Sequence, residues 1–545
     1  MARALLVVPT ALSALLLIAG GVPSSVPGNP RAAAPTDSIT FARDVAPIFY
    51  RHCAACHRAE DEGGSAPFSL MRYEDAAPRA ALIAAAVASR RMPPWLPERA
   101  PGDVTFAGER RLSADEIGVI RRWAAQGAAR GDSADLPRAP TWPDGWQLGE
   151  PHVVIEFPAY AVPAGGVERY RNLVVAAPVQ APWWVGAVEL RPGNPRVVHH
   201  ARLMVDTTAS SARADAQDAG PGFDGMELRS DARSPAGFFV GWTPGKVPGR
   251  YPAGFAWRLA PGTDLVLQLH IRPHASGAGE VLRPRLGLYF TDRPPRRPSA
   301  LVMLGTKTID IPPDDSAYVV TDSYELPVAV EVLGVYPHAH YLATRMEGVA
   351  RLPDGKVQRL LRIAAWDFNW QDEYRYAAPV RLPQGSVLSM RYTYDNSAAN
   401  PRNPSRPPRR VQYGPHSTDE MADLVFQVVP LRAADVAVLE RDLGWKYYAE
   451  QVTSDAYRAF SRGREQVSAG RLDEAVALFR ESLGLRADDA RVHEELGAVL
   501  AAQGNVAEAI AHFEQAVALA EAAGQHELAA RIRRRLEGYR TERPR

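Results

Sequence analysis

Between residues 153 and 429 the chain is a succession of short β-forming runs cut by proline and glycine. That rhythm limits the fold more than any other feature. The runs are 153–157, 171–175, 185–190, 197–205, 265–271 and 285–290, then 317–320, 329–336, 347–352, 360–363, 386–394 and 424–429. Many short strands at this spacing predict all-β sandwiches or jelly rolls, and the length fits two. The 47 prolines and 42 glycines agree with a loop-rich β protein. At 545 residues the whole chain is too long for a single core, so three or more domains are expected. A formal net charge of +1 gives no electrostatic case for nucleic acid.

Histidines punctuate these runs. His338 and His340 stand two apart at the end of one run, so on a strand both imidazoles point to one face. Imidazole suits copper, zinc, iron or nickel. Taken alone, such a pair reads better as two surface histidines near a turn. His199 and His200 are adjacent, and a regular strand would aim them at opposite faces. Both reach one ion only if the backbone twists or bulges there. Gln268 and His270 share a face, while His274 falls beyond the end of that strand. Met421 precedes the last run. A lone methionine there reads as core; as a ligand, its soft thioether favours Cu(I) over zinc.

Upstream, Cys53, Cys56 and His57 form Cys-x-x-Cys-His, the attachment motif for c-type haem. Two thiols add to the haem vinyl groups, and the adjoining histidine is the proximal iron ligand. A redox dithiol and a Cys53–Cys56 disulfide are the other readings. These are the only cysteines, so no separate structural disulfide exists. Phe41, Val45, Ile48 and Phe49 fall at helical spacing before the motif. Ser113 and Glu116 form a capping box opening a helix with Ile117, Ile120, Trp123 and Ala124 on one face. Helix, motif and closing helix over 36–132 resemble a class I cytochrome c domain, which is small and all-α. The resemblance implies a distal methionine. Met92, in a Pro-Pro-Trp loop, is favoured for that role, and Met71 reads as core. His52 reads as solvated. Residues 1–34 carry the basic start, apolar run and small-residue tail of a signal peptide with a flexible leader. A periplasmic or secreted protein is expected, with an uncleaved anchor as the alternative. No other segment is apolar enough over sufficient length to span a bilayer. Residues 133–150 read as a linker.

In order, the β region offers His-His, Gln-x-His, His-x-His and Met. This resembles the copper type II ascorbate-dependent monooxygenases, the group of peptidylglycine α-hydroxylating monooxygenase and dopamine β-monooxygenase. The resemblance covers roughly 150–432. Segments 188–194, 241–245 and 368–371 support it, as do Asp395, Asn396 and Ser397 with Asn403 and Pro404. It implies two β domains, 151–298 and 299–432, each with one copper. His199, His200 and His270 would hold the electron-transfer ion; His338, His340 and Met421 would hold the ion that meets O₂. Gln268 matches a glutamine on the route between them. The implied activity hydroxylates an aliphatic C–H with O₂ and two electrons, from ascorbate or another reductant. Where peptide-amidating members carry an arginine and an asparagine, this chain has Tyr336 and Asp423. A peptide-glycine substrate is therefore not supported, and the small-molecule substrate stays unidentified. The fused haem is expected to feed electrons to the His199, His200 and His270 site, whether or not a redox partner protein supplies it. The insert 207–235 is expected to be a loop.

Residues 433–545 carry a repeat. Gly470 to Phe479 recurs as Gly504 to Phe513, and Gly463 recurs as Gly497, at an offset of 34 residues. This resembles tetratricopeptide repeats, here two with a capping helix, expected to dock on the enzyme body or a protein partner. The fold class expected for the whole chain is thus multidomain α and β: a cytochrome c-like module, two all-β jelly-roll sandwiches and a helical repeat block. His493, His512 and His526 read as helix-surface residues. A second function fits the same sequence: a non-catalytic haem and copper electron-transfer or scaffold protein with a docking surface.

Overall fold

The computed structural model describes residues 38–541, apart from 59–65, 143–144, 165–167, 227, 229, 245, 273–278, 293, 296 and 524. The expected signal peptide and His274 lie outside the described residues.

The first β body builds its larger sheet from β1 (Arg169–Ala176), β2 (Val198–Asp206), β3 (Val240–Trp242) and β4 (Asp264–Ile271). With Phe223–Asp224 at one edge, the order is Phe223–Asp224, β1, β4, β2, β3. β4 is central and buried along its whole length. A second sheet of four strands includes Trp183–Arg191 and Arg285–Thr291. Leu267 and Leu269 of the first sheet share one core with Val185 and Leu288 of the second. The insert expected as a loop instead folds in part: Ser210–Ala216 is a short helix, and Asp206 accepts from Thr208 N and Ser211 N at its start.

The second β body repeats the plan. β5 (Ala300–Gly305), β6 (Val330–His338), β7 (Tyr374–Leu382) and β8 (Asp423–Pro430) form a sheet in the order β5, β8, β6, β7. Its partner sheet contains Tyr318–Glu325, Ala343–Arg351, Val357–Ile363 and Val387–Tyr394. Leu424 and Phe426 share a core with Met346 and Tyr392. β7 carries Pro379 and two arginines and has no sequence signal of a strand. It is tolerated because it lies at an edge, where a missing N–H breaks no ladder bond.

The N-terminal helices are α1 (Ala46–His52), α2 (Ala80–Ala88) and α3 (Ala114–Ala125). Phe41, Val45, Phe49, Ile120 and Trp123 form their core. Ser113 and Glu116 cap α3 reciprocally, satisfying two otherwise orphaned N–H groups. Past α2 the chain leaves this core and adds to the second β body. Phe106 bridges Tyr376 of β7, Ala107 N donates to Arg375 O, and Ala377 N donates to Thr105 O.

A helix of 33 residues, α4 (Val436–Ser468), begins as part of the second β core through Leu439 and Leu443. It ends as the first helix of a separate stack with α5 (Leu472–Leu485), α6 (Ala490–Ala502), α7 (Val506–Ala522) and α8 (His526–Thr541). The repeat explains the glycines. A Cβ on Gly463 would lie 2.5 Å from the Phe479 ring, and one on Gly497 would lie 3.3 Å from the Phe513 ring. Each glycine lets one phenylalanine fill the groove between paired helices. His493 is buried, not on the helix surface, and its ring nitrogen lies 2.8 Å from that of His512.

Candidate metal centre

His199, His200 and His270 come together on β2 and β4, their ligand atoms all within 4.8 Å of one another. The adjacency of His199 and His200 is resolved by a register shift. Val198 pairs with Ile271 and His200 with His270, so His199 is the extra residue of a bulge. The Nδ1 atoms converge: His199 to His200 is 3.1 Å, and His200 to His270 is 3.4 Å. Nitrogens that share an ion at about 2 Å in tetrahedral geometry stand roughly 3.3 Å apart, so the spacing suits one ion. Burial pushes His199 down to about 3, His200 well below its ordinary range, and His270 down as well. All three imidazoles therefore stay neutral, as ligation requires.

His270 is held from both sides. Tyr170, opposite it on β1, stacks on its ring at 4.3 Å with 9° between planes. With Nδ1 turned to the other histidines, His270 Nε2 stands 3.0 Å from Glu168 Oε1, off the line of a good hydrogen bond. The other carboxylate oxygen, Oε2, accepts from Ser417 N and Ser417 Oγ, both at 2.8 Å. Burial alone would raise the Glu168 carboxyl; His270 and the Ser417 donors outweigh it and hold it at about 2. One carboxylate thus touches a histidine of the first β body and a loop of the second. Sequence reasoning missed Glu168: nothing in its neighbourhood marks it, and its partners lie far along the chain.

The second set assembles at the ends of β6 and β8. His338 ends β6, opposite Asp423, and Met421 lies two residues before the first residue of β8. His338 Nε2 lies 3.2 Å from Met421 Sδ, both buried. His338 Nδ1 donates to Gln371 Oε1 at 2.5 Å, and His340 Nδ1 donates to the Asp419 carbonyl at 3.0 Å. Each bond fixes a tautomer that leaves Nε2 with its lone pair. His340 Nε2 is buried with no hydrogen-bond partner. Burial lowers His338 and drives His340 well below its ordinary range. Glu420 is fully buried and braces the loop: its carboxylate accepts from the backbone N–H of His340, Leu342 and Met421. Burial lifts its carboxyl to about 8 against those bonds.

The two sets face each other across the boundary of the β bodies. The His200 and His338 rings are 6.0 Å apart. Phe368 stacks on His199 at 4.3 Å and meets the edge of His340 at 5.4 Å. Gln268 is not among the converging groups. Its amide donates to Asn172 Oδ1 and the Met226 carbonyl, both within the first body.

In the helical module, no disulfide joins Cys53 and Cys56. His57 Nδ1 donates to the Phe68 carbonyl at 2.9 Å, which leaves Nε2 as the ligand atom. Cys56 opens into a cavity of about 2210 Å³ whose wall also includes Met71, Trp95, Trp142, Phe239 and Asp372. Met92 packs on the helical core with Cys53. Met71 lines the cavity instead of the core. His52, read as solvated, lies 3.0 Å from Glu116. Two thiols outside any disulfide and an oriented imidazole suit a covalently attached haem, while the cavity is lined by Cys56 but not by Cys53, His57 or Met92.

Residues 490–523 match the tetratricopeptide repeat, which corresponds to α6 and α7. No curated protein matches the chain. Among solved structures, a Paenibacillus xanthan lyase is 12% identical, covering 52% of this chain and 26% of that one at a TM-score of 0.16. Sulfolobus turreted icosahedral virus is 9% identical, covering 55% and 99% at 0.22. The VP2 subviral particle of infectious bursal disease virus is 7% identical, covering 52% and 73% at 0.14. Scores this low carry no argument about this chain.

Proposed function

We propose that this chain is an exported, copper-dependent monooxygenase with a fused c-type haem, resembling the copper type II ascorbate-dependent family. One observation carries the reading. A three-imidazole set and a two-imidazole, one-thioether set face each other with rings 6.0 Å apart. Copper in these sets would supply one-electron cycling and, beside Met421, a Cu(I) centre able to meet O₂ and oxidise a C–H bond. Haem at Cys53, Cys56 and His57, with Met92 as distal ligand, would supply a stored electron.

The chain's own groups have separable roles. Gln371 and the Asp419 carbonyl aim His338 and His340, and Glu420 holds the loop that carries Met421. Tyr170 and Glu168 fix the ring of His270. Beside the thioether set, Tyr336 stacks on Phe239 at 4.1 Å, and the Arg202 guanidinium lies over that Phe239 ring. These groups, with Asp423, form the side on which a small substrate would be selected. The tetratricopeptide repeat supports a protein partner at the C-terminal end. Among the described residues no helix is long and apolar enough to cross a membrane.

The test loads purified protein with copper, measures metal content, and follows ascorbate-driven O₂ uptake in the presence of candidate small substrates. Stimulated uptake should vanish in Met421→Ala and His338→Ala. Copper-loaded protein that reduces no O₂ with any substrate would favour the electron-transfer or scaffold reading.

A further inference from the structure

Resting on the metal-binding part of that reading, we infer that Glu168 and Ser417 are positioning residues that tie the three-histidine set to the second β body. An ion held by His199, His200 and His270 pins the turn 416–421, which orients His340 and carries Met421.

The three imidazoles belong to the first β body, but the group behind one of them is gripped by the second. Glu168 immediately precedes β1, and its Oε1 stands 3.0 Å from His270 Nε2 and 3.3 Å from Arg272 Nε. Its Oε2 accepts from Ser417 N and Ser417 Oγ, both at 2.8 Å. Ser417 is buried, and the turn that carries it is closed on itself. His416 N donates to Asp419 Oδ2 at 3.0 Å, and Asp419 N donates to the His416 carbonyl at 2.9 Å. Further along the same turn, the Asp419 carbonyl accepts from His340 Nδ1, and Met421 Sδ faces His338 Nε2. One turn thus reaches the first ligand set through Glu168 and the second through its own carbonyl and thioether.

The contact between His270 and Glu168 is close but poorly aligned. His270 Nε2 and Glu168 Oε1 are both buried, and neither makes a well-formed hydrogen bond. The stack on Tyr170 keeps the ring from swinging away. Ligation at Nδ1 puts the ring proton on Nε2 and fixes the ring, which strengthens that N–H as a donor to the carboxylate. Glu168 is then held firmly from the first body while it holds Ser417 of the second. Binding free energies are reciprocal, so what the ion does for the Ser417 contact, that contact does for the ion.

The experiment uses the full-length chain with His338→Ala, which removes a ligand from the thioether set and leaves Cu(II), the probe, to the three histidines. Hydrogen exchange is followed by mass spectrometry with and without Cu(II), so no catalytic turnover is needed. Bound Cu(II) should slow exchange in peptides covering 416–421 by about five-fold or more, although none of its ligands lies there. Adding Glu168→Gln should remove that slowing at saturating Cu(II). In the other direction, Ser417→Ala should weaken Cu(II) at the three histidines by about five-fold or more in competition with a chelator. Exchange at 416–421 that does not respond to bound Cu(II) overturns the inference, as does an unchanged affinity in Ser417→Ala. Slowing that survives Glu168→Gln overturns it too, and assigns the effect to Phe368, which touches both His199 and His340. If Glu168→Gln does not fold, Ser417→Ala, which keeps the carboxylate and the Ser417 N–H, still decides. Protein that takes up no Cu(II) at the three histidines overturns the functional reading, and this inference with it.

Discussion

Met421 is the side chain that makes the two ligand sets different, because it replaces an imidazole with a soft sulfur. Met421→Leu keeps volume and hydrophobicity, so folding should change by less than about 1.5 kcal/mol. On the proposed function, the variant should nevertheless lose copper from the His338 and His340 set and keep it in the His199, His200 and His270 set, as metal analysis and sulfur-sensitive X-ray absorption would read. Glu168→Gln makes a different prediction. The amide oxygen can still accept from Ser417, but the charge facing His270 is gone. Loss of such an outer partner should weaken copper in the three-histidine set by about 10–100-fold, measured by competition with a chelator. Unchanged affinity would mean that Glu168 serves only the joint between the bodies. The candidate ligand residues could be picked out in the sequence, but the strand-alternation argument reaches only His338: the strand ends there and His340 lies just beyond it. The bulge at His199 could be stated as a requirement but not located, since register depends on the partner strand. Glu168, Tyr170 and the role of Gln371 were not legible. Each acts on a histidine brought to it only by the folded sheets.

At the scale of elements, the segment from Trp95 to Arg111 decides where the N-terminal helical module sits. Its sequence, rich in proline and arginine, has no strand pattern. Its order comes from an unpaired edge on β7 and from the stacked rings Phe106, Tyr374 and Tyr376. Phe106→Asp places a charge in that stack and should cost docking about 2 kcal/mol. The β bodies should stay folded, while backbone amides of β7 exchange hydrogen faster and proteases cut near residue 106. Exchange that stays as slow as in the parent protein would show that the ion pairs alone hold the module. The repeat block was legible for the opposite reason. Its period of 34 residues is written in the glycine and phenylalanine positions, and each repeat packs against its neighbour in sequence.

For the whole molecule, α4 joins two cores that sequence alone separates. Leu439 and Leu443 belong to the second β core, Tyr447 Oη accepts from Met303 N, and Lys446 pairs with Asp322. The later half of the same helix, with Phe460, belongs to the repeat stack. Ending the chain after Ala469 should leave the melting transition of the β bodies nearly unchanged. Ending it after Arg432 removes both leucines, each worth about 2–5 kcal/mol, and should lower that transition by many degrees in calorimetry. Equal melting of the two truncations would mean that the β core closes without the helix. The edge of β7 has a consequence of another kind. Segment 105–107 covers a row of backbone donors and acceptors that would otherwise lie open on a sheet. An open sheet edge recruits strands from neighbouring molecules. A chain whose N-terminal module has not yet folded would therefore expose an adhesive margin during its biogenesis. Solubility of the β half would then report on completion of the other half, an assembly checkpoint needing no dedicated chaperone contact.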